Sequence, residues 1–332
     1  AQTEKGAEVV RMIHTLLGPE TFRAGSDLYF NRFDGQAVTI EDFIACMSEV
    51  SGRDFTQFTR WYRQAGTPQL HVAGRYDAAN KTFELDIEQS CPETPENKEK
   101  QPFLIPLRMG LVGQDGDLPL FVDGITDGEP ELLLEITEKS HTFAFRQVEE
   151  PPIPSLLRGF SAPLKLHYSY QPHELKHLMT RDSDGFNRWE ASNRLAVGVL
   201  RSLQENHLSR EQLVLDDMIV EAFRTLLNET REDIDTDKAM VALMLNLPSE
   251  NYLAEISEVI AVDAIHTARQ FALRELGSSL GDMFLNTYEA NRSVLPYQAT
   301  GLQVGQRSLK NIALHYLMHG KAAQGLALAK SQ

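Results

Sequence analysis

The residues with the most chemistry to offer are His173-Glu174-Leu175-Lys176-His177. On a helix, histidines four apart share a face and can hold zinc, and the glutamate between them can polarise a metal-bound water. Read alone, the pattern describes a zinc hydrolase with its metal on His173 and His177 and Glu174 as the base. The surrounding residues argue against it. A catalytic zinc takes three protein ligands, and glutamate-type zinc peptidases draw the third from a helix roughly twenty residues further on. Here Arg194 to Leu200 contains no carboxylate, and Glu190 is too close to the motif. Lys176 sets a cation beside the histidines. Pro172 stands where a zinc-bearing helix would continue, although proline also suits a first helical turn. The expectation is that this pattern is a decoy, with no metal ligand and no catalytic residue in the chain.

Other candidates are thinner. No G-x-G-x-x-G, P-loop or G-x-S-x-G pattern occurs. Gly277-Ser278-Ser279 and Gly305-Gln306 read as helix-end breakers rather than phosphate cradles. Phe55, Phe58, Trp61 and Tyr62 recur at helical spacing and read as core. His315 and His319 are also four apart but lack a Glu or Cys partner; with His14 they read as packed or solvent-facing. The 332 residues suggest two or three domains, with 42% hydrophobic and 24% charged residues giving a globular balance. A net charge of −15 offers no phosphate-tracking surface, so nucleic acid is not expected as a partner. No window of about 18 apolar residues exists, so no membrane partner is expected either. Ala1 to Gly6 shows no signal-peptide pattern. Cys46 and Cys91 cannot build a disulfide framework, which points to a reducing cytoplasm.

The elements that would position these residues change character twice. Glu4–Leu17 places Val9, Val10, Ile13, Leu16 and Leu17 on one helical stripe, with Gly18 as its C-cap and Pro19 opening a second helix. Thr39 and Asp42 form a capping-box pattern before a helix over 40–50 closed by Gly52, and Asp54 opens another. From residue 67 the period becomes two. Strands are predicted at 69–76, 83–89, 103–112, 118–122, 131–137, 141–146 and 164–170, with a turn at Asp115-Gly116; seven short strands suggest a small sandwich. From Phe186 the helical period returns at 186–206, 211–229, 237–246, 250–260, 262–280, 282–291 and 306–318. Successive helix pairs suggest an α-solenoid of HEAT or armadillo type.

Several runs carry a resemblance. Glu4-Lys5-Gly6-Ala7-Glu8-Val9-Val10-Arg11-Met12-Ile13 leads into His14-Thr15-Leu16-Leu17-Gly18. Arg60-Trp61-Tyr62-Arg63-Gln64-Ala65-Gly66-Thr67-Pro68 is the strongest, followed by Glu99 to Pro106 and Phe160 to Leu166. Together they resemble the bacterial aminopeptidase N family, zinc metallopeptidases of the gluzincin class. The resemblance implies a multidomain α+β chain: 1–66 as the C-terminal helices of a thermolysin-like catalytic domain, 67–168 as a β-sandwich, and 169–332 as the first part of a helical-repeat domain. It implies zinc and peptide substrates for the parent enzyme. The family's G-A-M-E-N motif, H-E-x-x-H motif and third-ligand glutamate all precede the segment where this chain starts, so the resemblance implies none of them here. The family tyrosine that stabilises the oxyanion immediately precedes Glu-Lys-Gly; Thr3 stands there.

The leading expectation is a fragment of a cytoplasmic zinc aminopeptidase, inactive alone. The alternatives are a non-catalytic helical-repeat and sandwich scaffold that binds peptides or proteins, and a separate zinc hydrolase using His173, Glu174 and His177. A fragment is expected to expose the Val9/Val10/Ile13/Leu17 stripe and its last helical pair, and to self-associate through them.

Overall fold

The computed structural model describes residues 2–95, 97–233, 235–293 and 296–331, with the side chains of residues 2–4 undescribed. Two compact units emerge, Ala1–Ser169 and Tyr170–Gln332.

The first unit begins with α1 (Gln2–Phe33), broken at Gly18 (φ 75°, ψ 166°) just before Pro19, so the two predicted helices form end to end around a glycine hinge. At α2 (Ile40–Ser51), the Thr39 N–H donates to Asp42 Oδ2 at 2.8 Å, and Gly52 closes the helix in the left-handed region (φ 67°). The helix expected from Asp54 shrinks to α3 (Arg60–Arg63). Before it, Asp54 accepts from the Thr56 N–H at 2.8 Å, a local turn that competes with helix. Phe55, Phe58 and Trp61 are core, as predicted.

Among the described residues nine strands follow: β1 (Gln69–Asp77), β2 (Thr82–Ser90), β3 (Ile105–Val112), β4 (Leu120–Val122), β5 (Thr126–Glu129), β6 (Leu132–Ile136), β7 (Ser140–Phe145), β8 (Ile153–Leu156) and β9 (Lys165–His167). They build sheets ordered β7-β2-β1-β9, β6-β3-β8 and β4-β5. Leu70, Phe83, Leu85 and Ile87 of the larger sheet share one core with Ile105, Leu107, Leu134 and Ile136 of the second. Two of the nine strands escaped the sequence reading. In β5, Thr-Asp-Gly-Glu has no apolar alternation. In β8, Pro154 opposes Leu111 in a strand at a sheet edge, where a missing N–H is tolerated.

The Val9/Val10/Ile13/Leu17 stripe is not bare. Val9 (3% exposed), Met12 and Ile13 belong to the same core as the sandwich, Leu17 packs against it, and α1 contacts β3. The expectation that this stripe lies bare is therefore corrected for Val9, Ile13 and Leu17, which the first unit's own core takes up, while Val10 is half-buried.

Arg158, 1% exposed, lies beside a tight left-handed turn in which Leu157, Gly159 and Phe160 all have φ between 53° and 59°. Its Nη2 is 2.6 Å from Asp117 Oδ1, and its Nε donates to Ser155 Oγ at 2.8 Å. Gly110 leaves the space, since a Cβ there would stand 2.4 Å from the guanidinium carbon.

The second unit is helical: α4 (Pro172–Arg181), α5 (Gly185–Leu208), α6 (Asp217–Glu232), α7 (Lys238–Met244), α8 (Glu250–Glu255), α9 (Val262–Ser279), α10 (Gly281–Ala290), α11 (Gly301–Gly320) and α12 (Ala322–Lys330). α11 is its pivot, contacting α7, α9, α10 and α12. Tyr316 on α11 is fully buried, stacked on Phe284 at 4.5 Å and donating to the Leu245 carbonyl at 2.7 Å; burial pushes its phenol far above the ordinary range. Of the two sites read as helix-end breakers, Gly277-Ser278-Ser279 forms the last three residues of α9, while Gly305 lies inside α11. A Cβ at Gly277 would meet the Tyr316 carbonyl oxygen at 2.3 Å, and Gly305 lies against Ala239, so both also permit close backbone approach.

Two outcomes follow from these packing arrangements. Asp117→Asn removes the nearer of two carboxylates from a buried guanidinium, leaving Glu131 Oε2 at 3.7 Å, and is expected to lower stability by about 1–3 kcal/mol, read from urea unfolding. Gly320→Ala puts a Cβ 2.0 Å from the Gly277 carbonyl carbon and is expected to destabilise the helical unit by about 2 kcal/mol or more.

Candidate functional site

The His-Glu-x-x-His pattern occupies the first turns of α4. Pro172 sits at the helix start, where its missing N–H costs nothing. Glu174 is the third helical residue, and its Oε2 accepts the Gln171 N–H at 2.7 Å. That is the back-bond of a capping box, so this carboxylate is already committed to closing the helix end. His173 is exposed and His177 half-buried. Lys176 pairs with Glu221 on α6, and Leu175, Leu178 and Met179 bury the other face of the helix.

Glu190, the downstream carboxylate nearest the motif, lies on α5 with Arg194 Nε 3.7 Å away. Burial pushes its carboxyl above the ordinary range, and Arg194 partly offsets that. Among the described residues no group of three or more His, Cys, Asp or Glu could hold a metal ion. The α4 residues fit a zinc site poorly, because the glutamate that would act as base is engaged in the helix cap and, among the described residues, no third ligand joins the two histidines.

His14 packs edge-on against Phe22 at 5.2 Å, and His315 meets His319 at 4.6 Å. Burial first, then His319 and Arg269, holds the His315 imidazole below its ordinary value. Cys46 and Cys91 are free thiols pushed up by burial.

A denser polar constellation surrounds Arg60–Gly66, which the sequence flagged only through family resemblance. Trp61 Nε1 donates to the Leu104 carbonyl at 2.8 Å, and Arg60 donates to the Pro102 carbonyl. Gln64 exchanges two bonds with the backbone of Gln101, at 2.7 and 2.9 Å. Lys100 Nζ donates to the Ala65 carbonyl at 2.8 Å, and Lys5 Nζ on α1 donates to the Gly66 carbonyl at 2.7 Å. Gly66 has φ 103°, and a Cβ there would stand 2.9 Å from Cys91 Sγ. Arg11, further along α1, donates to the Gly159 carbonyl. The arrangement clamps the start of α1, the helix that carries position 3, to the loops of the sandwich. The side chain of Thr3 itself lies outside the described residues.

Comparison with known proteins agrees with this layout. Residues 2–62 match the Peptidase family M1 domain, 66–169 a domain of unknown function with an Ig-like fold, and 172–332 a domain of unknown function with ARM repeats. Aminopeptidase N of Escherichia coli is 36% identical over 330 residues, 99% of this chain and 37% of that protein. The chain is homologous to the C-terminal part of aminopeptidase N. Aminopeptidase N of Haemophilus influenzae is likewise 36% identical, over 97% of this chain and 36% of its own length. The crystal structure of Legionella pneumophila aminopeptidase A in complex with aspartic acid superposes with a TM-score of 0.80 at 27% identity, over 97% of this chain and 36% of that one. The chain thus spans little more than a third of the aminopeptidases it matches. The β-sandwich and the helical-repeat unit predicted from periodicity correspond to the Ig-like and ARM-repeat families.

The role of Glu174 gives a direct test. Glu174→Ala is expected to destabilise the helical unit by about 0.5–1 kcal/mol, while Glu174→Gln, which keeps the acceptor, stays near wild type. Equal thermal stability of all three proteins would remove the capping role.

Proposed function

We propose that this chain is part of a zinc-dependent aminopeptidase that removes N-terminal residues from peptides in the cytoplasm. In this reading 1–66 completes the catalytic domain, 67–168 is a sandwich spacer, and 169–332 belongs to a helical domain that closes over the active-site chamber. The zinc ligands and the glutamate base belong to the part of the enzyme outside this span. The observation that carries the reading is the 36% identity with E. coli aminopeptidase N across 99% of the chain. The commitment of Glu174 to the α4 cap supports placing the zinc chemistry elsewhere. Two free thiols fit a reducing compartment, and none of the described helices is long and apolar enough to cross a membrane.

Zinc content and hydrolysis of alanyl-p-nitroanilide, measured together on the metal-reconstituted chain, test this. Neither stoichiometric zinc nor turnover is expected. In the longer enzyme, turnover is expected and should survive His173→Ala unchanged. About one zinc per isolated chain, lost together with turnover in His173→Ala, would instead assign the chemistry to α4.

A further inference from the structure

We propose that His141 is an acid-sensitive latch: its neutral imidazole holds closed the corner where the chain passes from one sheet of the sandwich to the other, and protonation opens that corner. Residues 137–139 make the passage, linking β6 in the β6-β3-β8 sheet to β7 in the β7-β2-β1-β9 sheet. A segment that leaves one ladder for another strands its own backbone groups, and these need partners from outside the ladders.

Three residues supply them. Gln89 of β2, 4% exposed, donates through Nε2 to the Glu138 carbonyl at 2.9 Å, and its backbone N–H donates to the Lys139 carbonyl at 2.9 Å. Gln57, from the segment before α3, donates to the Thr137 carbonyl at 2.6 Å. The N–H groups of Thr137 and Glu138 both end on one atom, His141 Nε2, at 3.2 and 2.9 Å. A backbone N–H can only donate, so this nitrogen carries a lone pair and the ring hydrogen sits on Nδ1. An imidazolium has a hydrogen on both nitrogens and accepts from neither amide. The two glutamines do not ionise, which leaves His141 as the one titrating member of the three.

The surroundings offer the protonated ring nothing in return. His141 is half-buried on the core face of β7, opposite Ile87 of β2 and stacked on Phe143 at 5.6 Å. Asp86 and Glu88 flank Ile87, and alternation turns them to the other face of the sheet, where Asp86 accepts from Thr142 Oγ1 at 2.6 Å. Glu135 of β6 pairs with Arg53, and Asp54 beside it accepts from the Thr56 N–H. Arg60 and Lys100 are spent on the carbonyls of Pro102 and Ala65. Glu138 and Lys139, in the corner itself, are exposed. Among the described residues no carboxylate lies within ion-pair distance of the His141 ring. Proton uptake therefore costs the corner two hydrogen bonds and gains it no ion pair.

Amide hydrogen exchange of the full chain at about pH 5 and about pH 7.5, read by mass spectrometry and corrected for intrinsic rates, tests the latch. Peptides spanning 136–141 are expected to lose protection by about tenfold or more at the lower pH, while the segment around Tyr316 in α11 holds within about twofold. His141→Gln keeps an acceptor oxygen but does not titrate, so its corner should be equally protected at both values. Equal protection of 136–141 at the two pH values in the wild-type chain would overturn the proposal, whether or not the variant folds. So would a loss spread evenly over both units, or one that persists unchanged in His141→Gln.

Discussion

The arrangement of the first unit depends on satisfying a small group of backbone carbonyls between its helices and its sandwich. The carbonyls of Pro102 and Leu104 lie just before β3, and those of Ala65 and Gly66 just after α3. Side chains donate to all four: Trp61 to the buried Leu104 carbonyl, Arg60 and Lys5 to the half-buried Pro102 and Gly66 carbonyls, and Lys100 to the exposed Ala65 carbonyl. Each bond crosses between segments distant in sequence. The same residues that close the hydrogen-bond account of the loops therefore also fix where α1 lies on the sandwich. Apolar packing of Val9, Met12 and Ile13 against that core supplies the driving force, and the polar clamps supply the register.

The helical unit solves the equivalent problem with glycine rather than with polar clamps. Gly277 in α9 and Gly320 at the end of α11 bring two backbones into direct contact, and Tyr316 then reaches the Leu245 carbonyl from the centre of the unit. Both units thus hinge on one buried aromatic residue whose polar atom ends on a backbone carbonyl, Trp61 in the first and Tyr316 in the second. The left-handed turn at Leu157–Phe160 is a third such fixture, tolerated because Arg158 ties it to Asp117 and Ser155.

Much of this was legible in the residues themselves. Alternation located seven strands, and the 3.6-residue period located most of the helices, because burial on one face leaves a periodic trace. What escaped lacked that trace. β5 is polar along its length, β8 begins behind two prolines and contains a third, and the 54–59 segment is turned aside by Asp54 bonding its own neighbours. Gly305 differs from its reading because a glycine required by a neighbouring backbone looks, in one dimension, like a glycine that ends a helix. The clamps at Arg60–Gly66 carry no periodic signal at all, since their partners lie 35 to 61 residues away.

The His173–His177 pattern shows why a motif acquires meaning only from its place in an element. A metal site needs its two imidazoles and its glutamate in the middle of a helix, where backbone groups are already paired and side chains are at liberty to face a ligand. At a helix start the first N–H groups are unpaired, and a glutamate three residues in is the residue type best able to satisfy the N-cap. The proline before His173 marks that position in the sequence, and the 2.7 Å bond from Gln171 to Glu174 completes it. Of the hydrolase-like pattern, the glutamate is the residue that also makes a well-capped helix. Capping engages it within a single turn and requires no residue from elsewhere in the fold.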